Sequence, residues 1–316
     1  MTDVTARLAA VVSADRVKQD EPLSGYTTFR VGGPADWLVE THNSREIVDV
    51  VTVARDAQLP LTILGGGSNV VVADTGVRGI VLRTRGGEVR PVDARLIRAD
   101  AAISMNGLVR WTIGHGRAGL EAWAGTPGTV GGAIFGNAHF GGRLIGELVH
   151  SVRLVDRTGR QSVVPSSAMA FGYDRSRLQR TGEILLSADF QVTAGVPADL
   201  RAIARQSLAF RKRTQPLDTP SAGCIFQNPE PGRDELPDGM PWSAGALVDR
   251  AGLKGHAIGG ARVSATHGNF IVNEGGATAD DIRSLIELCR QTVRERFAVD
   301  LRDEIMCLGE FEGLKS

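Results

Sequence analysis

A chain of 316 residues, 42% hydrophobic and 23% charged, has room for one large or two to three ordinary domains and a sizeable core. Lys plus Arg balance Asp plus Glu at 36 each, so neither a nucleic-acid backbone nor an anionic membrane is an expected partner, and any anionic ligand must be held by local groups. Cys224, Cys289 and Cys307 are too few and too scattered for a disulfide framework or a zinc site.

The first twenty residues, "MTDVTARLAAVVSADRVKQD", lack the apolar stretch of a signal peptide, and no run approaches the roughly 18 apolar residues of a membrane span. A cytoplasmic location is expected. A strand is predicted over 36–41 and a helix over 44–57, where Asn43 and Glu46 have the spacing of an N-terminal cap and Ile47, Val48, Val50, Val51 and Ala54 form an apolar stripe. Short strands follow near 80–82 and 88–99, then a helix near 104–114. A hairpin turns at 157–159, and a strand covers 183–193. Many short strands with few helices suggest an α+β cofactor region over roughly 20–195.

Residues 198–213 read as a linking helix ending in the cations Arg211, Lys212 and Arg213. A Pro- and Gly-rich stretch over 214–242 leads to a helix over 243–251 stopped at Gly252, then to a strand in "NFIVN". Thr278 and Asp281 cap a long helix over 279–297 with Ile282, Ile286, Cys289, Val293 and Phe297 on one face, which makes Cys289 a core residue. The last segment, "VDLRDEIMCLGEF", alternates as one strand with Glu304, Met306 and Leu308 on one face and Ile305 and Cys307 on the other.

Two glycine-rich loops interrupt this pattern. "LTILGGGSNVVVADTG" holds Gly65, Gly66, Gly67, Ser68 and Asn69 between two short strands. "AGTPGTVGGAIFGNA" holds Gly125, Thr126, Gly128, Thr129, Gly131, Gly132 and Asn137. The first does not open a helix and neither ends in Gly-Lys-Ser/Thr, which excludes the Rossmann fingerprint and the P-loop. Such loops can be tight turns at sheet corners. They can also present converging backbone N–H groups to an anion, and two of them could embrace the pyrophosphate of a nucleotide cofactor.

Seven stretches, "YTTFRVGGPAD", "ILGGGSNVVVAD", "LEAWAGTPGTVGGAIFGNA", "FGYDRS", "QPLDTPSAGCIFQNP", "AGLKGHAIGGARVSATHGNFIVN" and "LRDEIMCLGE", occur in an order that resembles the UDP-N-acetylenolpyruvoylglucosamine reductases nearly end to end, in their shorter subclass. The resemblance implies an α+β chain: a two-part FAD-binding region of vanillyl-alcohol-oxidase type followed by an α+β substrate-binding domain. Its divisions fall at 1–80, with the C-terminal strand as a candidate to complete it, at 81–196, and at 205–316. It implies FAD held by the two glycine loops, NADPH as co-substrate and enolpyruvyl-UDP-N-acetylglucosamine as substrate.

In that family hydride passes from NADPH to flavin N5 and on to C3 of the enol ether, so C2 must be protonated and an enolate-like charge stabilised. By resemblance Cys224 stands where the family's proton donor is usually a serine. A thiol still protonated at neutral pH can do this work. Glu304 occupies the electrophilic glutamate position. Tyr173 and Asn228 match substrate contacts, Lys254 and the 211–213 run are candidates for the diphosphate, and His267 matches a family position. Two places depart from the pattern. "NAHFGG" is one residue short, and Asp174 stands where the family has its enolate-stabilising arginine, so Arg175 is taken for that role through a local bulge or an alignment shift, with Arg177, or stabilisation from elsewhere, as the alternative. The competing readings are another FAD-dependent oxidoreductase of the same fold and a nucleotide-binding protein without catalysis.

Overall fold

The helix Ser44–Asp56 begins where the sequence places it: the Asn43 side chain accepts from Glu46 N at 3.0 Å, and Ile47, Val50, Val51 and Ala54 are buried. The computed structural model of the chain describes residues 2–311, which divide into two compact units.

The first unit comprises the chain up to Glu21, Asp36–Gly66 and Arg78–Phe210. One sheet orders its strands Val17–Pro22, Pro34–Thr41, Val77–Thr84 and Leu61–Leu64, the last two parallel. Ser44–Asp56 packs on it together with an N-terminal helix, Thr2–Val12, whose Leu8 and Val12 are fully buried. The sequence reading had no helix there. A second, five-stranded antiparallel sheet runs Gln161–Pro165, Val149–Val155, Ile184–Gln191, Leu96–Asp100 and Val89–Pro91. The helices Met105–Gly114 and Val130–Phe135 share its core, packing Met105, Leu108, Val130 and Ile134 with Ile97, Ala188 and Phe190.

One expectation changes in this unit. Residues 88–99 are a hairpin rather than one strand, because the Asp93 carboxylate accepts from Arg95 N and Leu96 N at 2.6 and 2.9 Å and turns the chain there. The second glycine loop opens a helix, with the Thr129 hydroxyl accepting from Gly132 N at 3.3 Å as its cap.

The second unit comprises Pro22–Ala35, Gly67–Val77 and the chain from Arg211 onward. A three-stranded sheet, Ala257–Ile258, Ala261–Val263 and Ile271–Asn273, packs with the helix Ala279–Phe297. Thr278 and Asp281 form the expected capping box. Asp74 adds a distant second cap, its carboxylate accepting from Ala279 N and Asp280 N at 3.0 and 3.1 Å. Cys289 is 1% exposed and burial pushes its thiol up to about 12, so it is a packing residue.

The C-terminal strand is shorter than its alternation suggests. Its strand proper is Met306–Leu308, in parallel with Val70–Val72, preceded by an isolated antiparallel bridge between Asp303 and Phe226. Over 301–305 the chain turns inward instead: Leu301 and Ile305 are buried, and the N–H groups of both Glu304 and Ile305 reach Ile225 O, at 2.8 and 3.3 Å.

Candidate active site

In the first unit the two glycine loops meet. A Cβ on Gly66 would lie 2.7 Å from Gly128 Cα, and one on Gly65 would lie 2.7 Å from Thr129 Oγ1, so only glycine allows this approach. Among the described residues, the N–H groups of Gly66, Gly128 and Thr129 have no acceptor. Those of Gly125, Thr126, Gly131 and Gly132 are spent inside the protein, on Asn106 Oδ1, Trp123 O, Ala101 O and Thr129 Oγ1 at 2.7, 3.0, 2.8 and 3.3 Å. The nest is therefore narrower than the loop's length suggests. Gly66→Ala is expected to push the loops apart and lower flavin affinity at least tenfold, read as the flavin-to-protein ratio after purification.

Asn137 is wholly buried. Its Nδ2 donates to Gly172 O at 2.7 Å and its Oδ1 accepts from Gly146 N at 2.8 Å, so it braces the neighbouring loop rather than facing a ligand. That loop carries the displaced arginine. Gly172 and Arg175 exchange backbone hydrogen bonds of 3.0 and 3.2 Å around Tyr173 and Asp174, and Asp174 adopts the left-handed conformation at φ 50°. The Arg175 guanidinium then lies flat on Gly172, where a Cβ would sit 2.8 Å from Nη2. Arg177 is committed elsewhere, to Glu183, through Nε–Oε2 and Nη2–Oε1 contacts of 2.8 and 2.9 Å. The Tyr173 ring lies 4.8 Å from that of His139, and His139 Nδ1 lies 3.0 Å from Asp174 Oδ1. Sequence spacing alone does not pair His139 with Asp174, because 35 residues separate them.

In the second unit Cys224 is half-buried and heads a segment laced to the C-terminal turn. Ile225 N donates to Asn269 O and Ile225 O accepts from Glu304 N, at 2.9 and 2.8 Å. The segments that carry Cys224 and Glu304 are thereby joined through backbone. Asn269 braces the same segment from both sides of Phe226, with bonds of 2.9 and 2.7 Å. Asn69 Nδ2 donates to Glu304 O at 3.0 Å while Asn69 O accepts from Met306 N at 3.0 Å, so this loop residue supports the turn bearing Glu304. The N–H groups of Gly67, Ser68 and Asn69 have no acceptor among the described residues. Unspent donors beside glycines and no cation suit an anionic cofactor group held by backbone.

Asn228 caps the helix Ala244–Arg250, its Oδ1 accepting from Ala244 N at 3.0 Å. Lys254 Nζ pairs with Asp249 at 2.7 Å. The cationic run divides: Arg211 is 7% exposed while Lys212 and Arg213 are exposed. Burial lowers the Arg211 guanidinium to about 10, and attraction to Cys224 opposes the fall. His267 rests edge-on against Phe270, with ring centroids 4.9 Å apart, and burial, with Lys254 nearby, lowers its pKa and favours the neutral ring.

The profile of an FAD-binding domain matches residues 35–164, which hold both glycine loops, and the profile of the UDP-N-acetylenolpyruvoylglucosamine reductase C-terminal domain matches 215–308. A UDP-N-acetylenolpyruvoylglucosamine reductase of Bacillus velezensis is 38% identical over 93% of this chain and 94% of its own. One of Synechococcus is 38% identical over 98% of both chains. The crystal structure of the Thermus caldophilus UDP-N-acetylenolpyruvylglucosamine reductase superposes with a TM-score of 0.76 at 32% identity, covering 93% of this chain and 99% of that one. The α+β architecture and the FAD cofactor expected from the motifs agree with these matches. With its glycine loops inside the FAD-binding match and the Cys224 and Glu304 segments inside the C-terminal match, the chain belongs to the UDP-N-acetylenolpyruvoylglucosamine reductase family.

Proposed function

We propose that the protein reduces the enolpyruvyl ether of UDP-N-acetylglucosamine to UDP-N-acetylmuramate with NADPH, a step of peptidoglycan precursor synthesis carried out in the cytoplasm. Family membership supports the reaction. The observation that carries the site assignment is the 2.8 Å bond from Glu304 N to Ile225 O, which ties the proposed acid and the proposed electrophile into one segment pair.

FAD, when bound, supplies the hydride acceptor and donor between NADPH and the substrate. In the first unit, the backbone N–H groups left open at Gly66, Gly128 and Thr129 are the ones that would hold its phosphates. Every other task falls to side chains. Cys224 gives a proton to C2 of the substrate, and the buried Arg211 stabilises the thiolate that remains, since their attraction is mutual. Glu304, as a neutral carboxyl, donates a hydrogen bond to the carboxylate-derived enolate, and Arg175 offsets its charge. Arg175 is favoured over Arg177 because Arg177 is held by Glu183. Tyr173 contacts the substrate from the same turn. Asn228 contributes by fixing the start of the 244–250 helix. Lys254 reaches a diphosphate only by leaving Asp249.

The proposal is tested by following NADPH oxidation with and without the enolpyruvyl sugar nucleotide. Oxidation that depends on the sugar nucleotide and yields UDP-N-acetylmuramate supports it. Oxidation at the same rate without the sugar nucleotide points to a different flavin-dependent oxidoreductase.

A further inference from the structure

The two places where the sequence departs from the family pattern meet in space. The shortened loop contributes His139 and the altered turn contributes Asp174, with Nδ1 and Oδ1 3.0 Å apart. The Asp174 side chain is 8% exposed, and its second oxygen, Oδ2, has no hydrogen-bond partner among the described residues. A buried carboxylate with one oxygen unsatisfied costs stability, so packing alone gives no reason for it. The His139 ring packs against that of Tyr173 at a tilt of 41°, while Gln179 Nε2 donates to Asp174 O at 2.9 Å and Asn137 Nδ2 donates to Gly172 O.

We infer that His139 and Asp174 form a positioning pair for the substrate-side turn: the imidazole–carboxylate contact holds Asp174 in its left-handed conformation and so aims Tyr173 and Arg175. A non-glycine residue at φ 50° is uncommon and needs its surroundings to fix it. The His139 contact supplies that restraint at the one residue that separates Tyr173 from Arg175. The pair acts through Arg175 and Tyr173, and the inference rests on the reductase reading for their role.

The test compares His139→Ala, Asp174→Ala, Asp174→Asn and the double alanine variant in anaerobic rapid mixing, with flavin content and melting temperature measured alongside. Flavin reduction by NADPH is expected to stay within about twofold of wild type. Reoxidation by the enolpyruvyl substrate is expected to slow about 10–100-fold in either alanine variant, the scale of a misplaced catalytic group, and no further in the double variant. Asp174→Asn, whose amide oxygen still accepts from His139, should recover to within about threefold of wild type. Wild-type reoxidation in the alanine variants, additive losses, equal slowing of both half-reactions, or no recovery with asparagine would overturn the inference. Failure of the wild-type protein itself to reoxidise would instead count against the reductase reading.

Discussion

Cys224→Ala is expected to leave flavin reduction by NADPH intact and to slow the substrate half-reaction by about 10²–10⁴-fold, the usual worth of a positioned general acid. Cys224→Ser should retain substantial turnover, since a hydroxyl at the same place can still donate a proton. The other thiols cannot substitute. Cys289 is buried in the 279–297 helix with its thiol pushed up to about 12, and Cys307 sits on the Met306–Leu308 strand. Rapid mixing that separates the two half-reactions checks this. Full turnover by the alanine variant would return Cys224 to a packing role.

Glu304→Ala should have a comparable effect on the same half-reaction, about 10²–10³-fold, because it removes a donor aimed at developing charge. The backbone of Glu304 is held by Ile225 O and by Asn69, and both bonds are main-chain to this residue, so alanine leaves the turn in place. An unchanged melting temperature with a slowed reoxidation step is the expected signature. Slowing of flavin reduction to the same degree would place Glu304 outside the chemistry on the substrate.

Most regular elements were legible because their local signals agree with their packing. Asn43 and Thr278 cap the helices they precede, and the apolar faces of both helices are buried as their spacing dictates. The hairpin turn at 157–159 is fixed within the turn itself, with Asp156 accepting from Thr158 N and Arg160 N at 2.9 and 3.0 Å. What failed depended on partners far away in sequence. The last strand reads as continuous alternation, yet Ile225 O captures two of its N–H groups and bends it before Met306. No pattern in "VDLRDEIMCLGEF" announces that carbonyl.

The site divides along the same line. Cys224, Glu304 and the glycine loops were readable as motifs. Their supports were not: Asn69 under Glu304, Asn269 around Phe226 and Asn137 behind Gly172 act through side-chain bonds to distant backbone. Asn137 and Asn69 were expected to face the cofactor. Their side chains hydrogen-bond to protein backbone, while backbone N–H groups of the glycine loops have no acceptor among the described residues. The displaced arginine shows the reverse case. The sequence shows an aspartate where an arginine was expected and a guanidinium one position later, while only the structure shows the left-handed Asp174 and the pairing of Arg177 with Glu183.

The most direct test of the central claim is anaerobic titration of the purified flavoprotein, first with NADPH and then with enolpyruvyl-UDP-N-acetylglucosamine. The flavin absorbance should bleach with one equivalent of NADPH and return with one equivalent of the sugar nucleotide, with UDP-N-acetylmuramate formed in equal amount. Bleaching that the sugar nucleotide cannot reverse would contradict the assigned reaction.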